Sequence, residues 1–315
     1  MISRKEPWRL LTVMVLCLSC GVTGEGLSQD SPAPKGDPVL TFKGCSIIRR
    51  SFMTEAARAY EKSTGKRILV MGGGATMGIR STAAGEADLG GSCRPNLPGR
   101  FDEERGVLLT QVAWDALVFI THKSNPVDNV TLQQAKGVLL GKLINWRELG
   151  GPDKRILPVL RTQTPEHGGK LSGVGYMSRV MLFDDPDIPF VEDALSFRDS
   201  AEVEENVEKI AFTFGTTGYS SATKRNVKIL QLESVPANKT TIAAGTYPLF
   251  RPLYLATKGM PTGEIKEFMD WLLGPDGQRI VSEQGAIALE EGKALKDKFR
   301  FWPQGTVITN YQSNP

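Results

Sequence analysis

The chain has 315 residues, 40 % hydrophobic and 23 % charged, which fits a globular protein of about two domains and excludes a disordered, collagen-like or coiled-coil chain. Its formal charge of +3, from 38 basic and 35 acidic residues without a Lys/Arg-rich run, argues against nucleic acid as a partner. Two histidines, His122 and His167, and no HExxH spacing argue against a multi-ligand zinc site.

At the N-terminus, Arg4, Lys5 and Arg9 precede the apolar run Leu10 to Leu18, and the small residues Ser19 and Gly21 follow. That is the charge, apolar core and small-residue exit of a secretory signal over residues 1–19. The core is too short for a bilayer-spanning helix, which needs about 20 residues. Cys20 stands where a lipoprotein signal places its acylated cysteine, although Cys17 replaces the usual leucine of that motif. Removing the signal strips three bases and one acid and leaves the exported chain near neutral. Its ligand is then selected by a local site rather than by a global field. Residues 20–38, rich in Ser, Pro and Gly, read as a flexible tether between an anchor and a folded body.

From residue 39 short apolar runs alternate with amphipathic stretches, the pattern of an α/β protein. A strand over Val39–Phe42 is predicted to end at the turn Lys43-Gly44-Cys45-Ser46. A helix follows with Ile48, Phe52, Ala56, Ala59 and Tyr60 on one face, and it stops near Gly65. The next strand, Lys66 to Met71, runs into the glycine loop Gly72–Gly78, and a short helix covers Ile79 to Ala84. Val112 to Thr121 is a long strand interrupted only by Asp115. Thr131 caps a helix over Leu132, Ala135, Val138 and Leu139 that Gly141 closes. Ile156 to Leu160 is a strand ending at Arg161. Asp199 and Glu202 form a capping box ahead of Val203, Val207 and Ile210. Tyr254 to Thr257 reads as a returning strand, and Ile265, Phe268, Met269, Leu272 and Leu273 form an amphipathic helix stripe.

Two of these junctions can carry chemistry. Gly44-Cys45-Ser46 and the Gly72–Gly78 loop each follow a strand and open a helix, whose first N–H groups and dipole favour an anion. Ser46 and Thr76 add hydroxyl donors, and Arg161 at a later strand end supplies a cation. The bland alternative is that the glycines simply make tight turns. The triple glycine matches neither GxGxxG nor GxxxxGK[ST], which argues against a nucleotide. Trp114, Trp146 and Trp271 read as packing residues, and Glu202, Glu204, Glu205 and Glu208 as a solvated helix face. Asp184, Asp185 and Asp187 read as a turn rather than a cation site.

Val112-Ala-Trp-Asp115, then Asn125-Pro126, then the stretch from Val130-Thr131-Leu132 through Gly141 and Asn145-Trp146 to Gly150-Gly151, resembles the periplasmic phosphate-binding proteins of ABC transporters. Further matches follow in order: Gly72-Gly-Gly-Ala-Thr-Met-Gly78, Gly85-Glu-Ala-Asp-Leu-Gly90, Ser92, Arg94-Pro95, Gly218-Tyr219, Arg251-Pro252-Leu253-Tyr254 and Gly277-Gln278. The resemblance spans about residues 40 to 290. It implies a type II periplasmic-binding-protein fold with crossing hinge strands, lobe one being 39–113 plus 252–302 and lobe two 114–251. It further implies capture of an inorganic oxyanion, phosphate foremost, for a membrane permease by a monomer that is not an enzyme and needs no cofactor.

Carried over by position, the resemblance assigns ligand contacts to Ser46, Ile47, Ala75, Thr76 and Arg161. Three departures stand out. Cys93 occupies the place of a carboxylate that accepts the ligand's proton, and a thiol is a weak acceptor. The family's Ser-Gly-Thr after the arginine is replaced by Thr164-Pro-Glu-His-Gly-Gly169, so His167 and the N–H of Gly168 are the expected stand-ins. Cys45 and Cys93 fall on loops that converge at the cleft, where they could form a disulfide, pack as free thiols or react. These departures keep two rivals open: a binder of tungstate, molybdate or sulfate in the same fold, and a secreted thiol enzyme using Cys93 with His167.

Overall fold

In the computed structural model of the chain, residues 40–161 and 171–301 are described. The expectations for the export signal, the tether, Cys20, His167 and Gly168 therefore lie outside the described residues.

The elements run β1 (Leu40–Gly44), α1 (Ser46–Ile48), α2 (Thr54–Thr64), β2 (Ile68–Met71), α3 (Ala75–Ala84), β3 (Leu89–Ser92), β4 (Val107–His122) and β5 (Asn129–Val130). After them come α4 (Leu132–Leu139), β6 (Leu157–Arg161), α5 (Gly173–Phe183), β7 (Leu195–Phe197), α6 (Ser200–Lys209), β8 (Thr213–Gly218), α7 (Tyr219–Ala222) and β9 (Val227–Ile229). The chain continues through β10 (Gln231–Leu232), α8 (Lys239–Ala243), β11 (Phe250–Lys258), α9 (Gly263–Leu273), α10 (Pro275–Glu283) and α11 (Leu295–Lys298).

The strands order as β2-β1-β3-β11-β4-β8-β6-β7, with β9 also on β4. β1 runs parallel to β2 and β3, and β6 parallel to β7 and β8. The antiparallel pairs all involve the two long strands β4 and β11. β4 changes partner midway: residues up to Ala116 pair with β11, and Leu117 onward pairs with β8 and β9. One strand thus joins two parallel sets, and helices pack on both to form one buried core.

The helix after β1 departs from the simple α-helix that its pattern suggests. A π turn, Arg49–Met53, lies between α1 and α2. Ile48, Phe52, Ala56 and Tyr60 recur every four residues, slightly wider than the 3.6 of an α-helix. One wider turn keeps all four on the buried face, where each exposes 2 % or less. Gly65, with φ of 75°, ends the helix. The cap at Thr131 and the capping box at Asp199 form as the sequence predicts, and Gln134 completes a box at Thr131 as well.

Two readings change. The long strand starts earlier than Val112 because Val107 to Gln111 already pair with β11. Its interruption, Asp115, is fully buried and accepts from the Ser220 N–H at 2.9 Å. The acidic face of α6 is not wholly solvated either. Glu204 is fully buried, accepts from Thr217 Oγ1 at 2.6 Å and faces Arg50 and Arg225, each 3.7 Å away. Trp114 and Trp146 are core residues as expected, and Trp271 packs edge-on against Tyr60.

Candidate functional site

The parallel strands end on one side, and helices begin there. α1 starts after β1, α3 after β2, α5 follows β6 in chain order and α6 follows β7. Residues from three of these starts line a cavity of about 840 Å³: Gly74, Ala75 and Thr76 of α3, Ser172 before α5, and Asp199 before α6. Ser46, the first residue of α1, reaches the same place because its hydroxyl donates to Asp199 Oδ2. Asp199 Oδ1 accepts the Ala201 N–H at 2.6 Å, which holds the carboxylate in its capping geometry.

The first turn of α3 is open to the cavity. Its N-cap is Gly74, which offers no side chain to the free N–H groups of that turn. Gly74 has φ of 89°, and a Cβ there would lie 3.1 Å from Arg161 Nη2. The glycine lets the arginine lie directly against the helix start. Arg161, the last residue of β6, exposes only 8 %, and its buried Nη1 has no hydrogen-bond partner among the described residues. Burial draws its basicity below the usual arginine value, opposed chiefly by the Asp199 carboxylate. The site therefore brings the Arg161 guanidinium and the unsatisfied N–H groups of α3 to one part of the cavity, where Asp199 is the carboxylate in contact with Ser46. It is built to hold an anion.

Other expected residues take different places. Ile47 is fully buried beside Ser46. Thr76 lines the cavity, but its hydroxyl donates to the Leu171 carbonyl at 2.7 Å and accepts from Arg94 Nη2 at 3.1 Å. It pins the chain ahead of α5 to α3. Arg94 donates to the same carbonyl at 2.7 Å and forms a buried fork on Glu104, at 2.9 and 2.7 Å. Cys45 and Cys93 are brought together but not bonded: both are free thiols, with Cys45 Sγ donating to Cys93 Sγ at 3.1 Å. A disulfide requires about 2.05 Å, so the disulfide reading does not describe this structure.

Asp199 is the site residue that the sequence did not reveal. Its capping role was legible, but its reach to Ser46, 153 positions away, follows only from folding. Among the described residues no cluster of three or more His, Cys, Asp or Glu could hold a metal ion. Asp187 instead donates its N–H to Asp185 Oδ1 at 2.8 Å and pairs with Arg100 at 2.6 Å, as a turn does.

Comparison with known proteins agrees with this architecture. The PBP superfamily domain matches residues 49–276. The phosphate-binding protein PstS of Bacillus subtilis is 29 % identical over 304 residues, which cover 90 % of this chain and 93 % of that one. A protein of Clostridium perfringens described as a phosphate ABC transporter substrate-binding protein, solved with bound phosphate, is 25 % identical with a TM-score of 0.71. It covers 79 % of this chain and 98 % of its own. An ABC-type phosphate transport receptor of Vibrio cholerae is also 25 % identical, with a TM-score of 0.61, over 79 % of this chain and 99 % of the other. Fold and site together define a solute-binding protein with a mixed α/β core. The chain belongs to the PBP superfamily, and the relatives above are named as binding proteins or receptors of phosphate transport, not as enzymes.

Proposed function

We propose that the chain is an exported solute-binding protein that captures phosphate between two lobes and presents it to an ABC permease. The observation that carries this reading is Arg161, a buried guanidinium whose Nη1 has no hydrogen-bond partner among the described residues, beside the open first turn of α3. Its relatives and structural neighbours named for phosphate support the ligand class. Lobe one is 39–113 plus 252–302 and lobe two 114–251. Ser46, Ala75 and Thr76 contact the anion from lobe one, through backbone N–H groups where hydroxyls are already engaged. Arg161 closes on it from lobe two, with His167 and Gly168 beside it. Export by the N-terminal signal, and anchoring through Cys20, place the protein outside the membrane that its permease spans.

Asp199 decides between phosphate and the rival anions. Its carboxylate accepts a hydrogen bond and cannot donate one. Hydrogen phosphate has a proton to give it; sulfate, tungstate and molybdate do not, and they would meet a like charge without compensation. Ser46 turns its hydroxyl from Asp199 to the ligand when phosphate enters. Calorimetric titration tests this directly. Phosphate is expected to bind and sulfate to fail, and saturable sulfate binding without phosphate binding would sink the reading.

A further inference from the structure

Cys45 and Cys93 are two buried thiols, 3 % and 2 % exposed, with sulfurs 3.1 Å apart at the ends of neighbouring parallel strands. Cys45 immediately precedes Ser46. Cys93 lies under the start of α5, so close that a Cβ on Gly173 would overlap its sulfur. The charged groups that act on Cys93 are Arg251 of β11, Arg161 of β6 and Asp115 of β4. Arg251 is fully buried, 3.7 Å from Asp115, and its Nε and Nη2 have no hydrogen-bond partner among the described residues.

We infer that Cys45 and Cys93 form a redox pair buried behind the anion cleft, and that closing the disulfide raises the cleft's affinity for its oxyanion. This rests on the phosphate reading above. Cys93 is the attacking thiol, because it accepts the Cys45 hydrogen bond and faces two arginines and a helix N-terminus. Its thiol is brought down to about 7, first by the Cys45 hydrogen bond and against the effect of burial. Cys45 keeps its proton, since burial pushes its thiol well up.

The oxidant is a disulfide, from a small molecule or an exchange protein. Cys93 thiolate attacks one of its sulfurs, forming a mixed disulfide and releasing one thiolate. Cys45 then loses its proton and attacks Cys93 Sγ, and the second oxidant sulfur leaves. The Cys93 thiolate and the Cys45 thiol are oxidised to one disulfide, and the oxidant is reduced to one thiolate and one thiol, the thiol carrying the proton from Cys45. The cover over Cys93 comes from α5, which belongs to lobe two, so the attack takes place when the lobes part.

The sign of the effect follows from charge. In the reduced state a thiolate at Cys93 partly cancels Arg161 and Arg251, which opposes an incoming anion; the disulfide is neutral and removes that opposition. The test uses the full chain, oxidised with glutathione disulfide or reduced with dithiothreitol. Peptide mapping after alkylation separates this pair from Cys17 and Cys20, and phosphate titration follows in each state. A Cys45–Cys93 cross-linked peptide is expected, with phosphate affinity roughly tenfold higher in the oxidised protein, the scale of one unit charge at about 10 Å in a protein interior. The ratio of the two affinities grows as pH rises through about 7, because only the reduced state gains charge there. Cys45 and Cys93 both still alkylated after oxidation, or equal affinity in both states, overturns the inference. Protein that binds no phosphate in either state overturns the functional reading and the affinity effect with it, while the peptide map still decides whether the thiol pair exists.

Discussion

Arg161 and Asp199 face each other across the cavity with opposite tasks. Arg161→Ala removes a fork of donors from a desolvated site, and phosphate affinity is expected to fall about a hundredfold or more by calorimetry. Arg161→Lys keeps the charge but not the fork and recovers only part of the loss. Asp199→Asn preserves the cap on α6, since Asn caps as well as Asp. It replaces one acceptor oxygen by a donor, so phosphate affinity falls roughly tenfold or more, the worth of a charge-assisted hydrogen bond. Sulfate, which lacks a proton to give Asp199, is expected to bind this variant better than the parent. Unchanged selectivity in that variant would remove Asp199 from the recognition of the ligand's proton.

Glu104 belongs to the same scale but to stability. Burial pushes its carboxyl up, yet the Arg94 fork, the Leu97 N–H and Arg80 outweigh burial and hold it below the usual glutamate value. A carboxyl depressed in the folded state contributes stability that is present above the ordinary glutamate pKa of 4.5 and lost as pH falls through and below it. Glu104→Gln leaves Arg94 buried without its counter-charge, which costs about 3–5 kcal/mol. Urea unfolding is expected to show that cost at pH 7, and to show a smaller difference between variant and parent in acid.

Among the elements, α3 sets the entrance geometry. Its N-cap must be glycine for two reasons: the backbone at residue 74 has φ of 89°, and Arg161 Nη2 lies against the space a Cβ would take. Gly74→Ala is expected to cost about 1 kcal/mol or more of stability from the backbone alone. It also displaces the guanidinium, so phosphate affinity falls in a protein that still folds. Circular dichroism melts separate the two effects. The π turn ahead of α2 acts in a different way, since it keeps a four-residue apolar spacing buried and thereby anchors the helix that begins at Ser46.

For the whole molecule, β4 and β11 matter most. β4 pairs with β11 through Ala116 and with β8 and β9 beyond it, so both strand sets share one continuous strand. A ligand held by residues of both sets then binds only the folded chain. At about 100 times its dissociation constant, phosphate should stabilise the protein by about 2.7 kcal/mol, visible as a higher melting temperature. Dialysing the phosphate away should reverse the shift, and chloride at equal ionic strength should not reproduce it.

The strand–turn–helix rhythm, the caps at Thr131 and Asp199, the glycine loop and the arginine at a strand end were all legible in the sequence. Each depends on residues within a few positions of one another, where backbone hydrogen bonding and side-chain periodicity act. The ordered motifs from residue 72 to 278 likewise announced the superfamily. Only the tertiary structure decided that Asp199 meets Ser46, that Glu204 of an apparently solvated face is buried, and that Cys45 and Cys93 stand in contact. It also turned the Thr76 hydroxyl, expected on the ligand, toward Leu171 and Arg94. Whether a carboxylate caps a helix is a local matter. What else it touches, and whether water reaches it, depends on which distant elements pack over it, and no pattern along the chain encodes that packing.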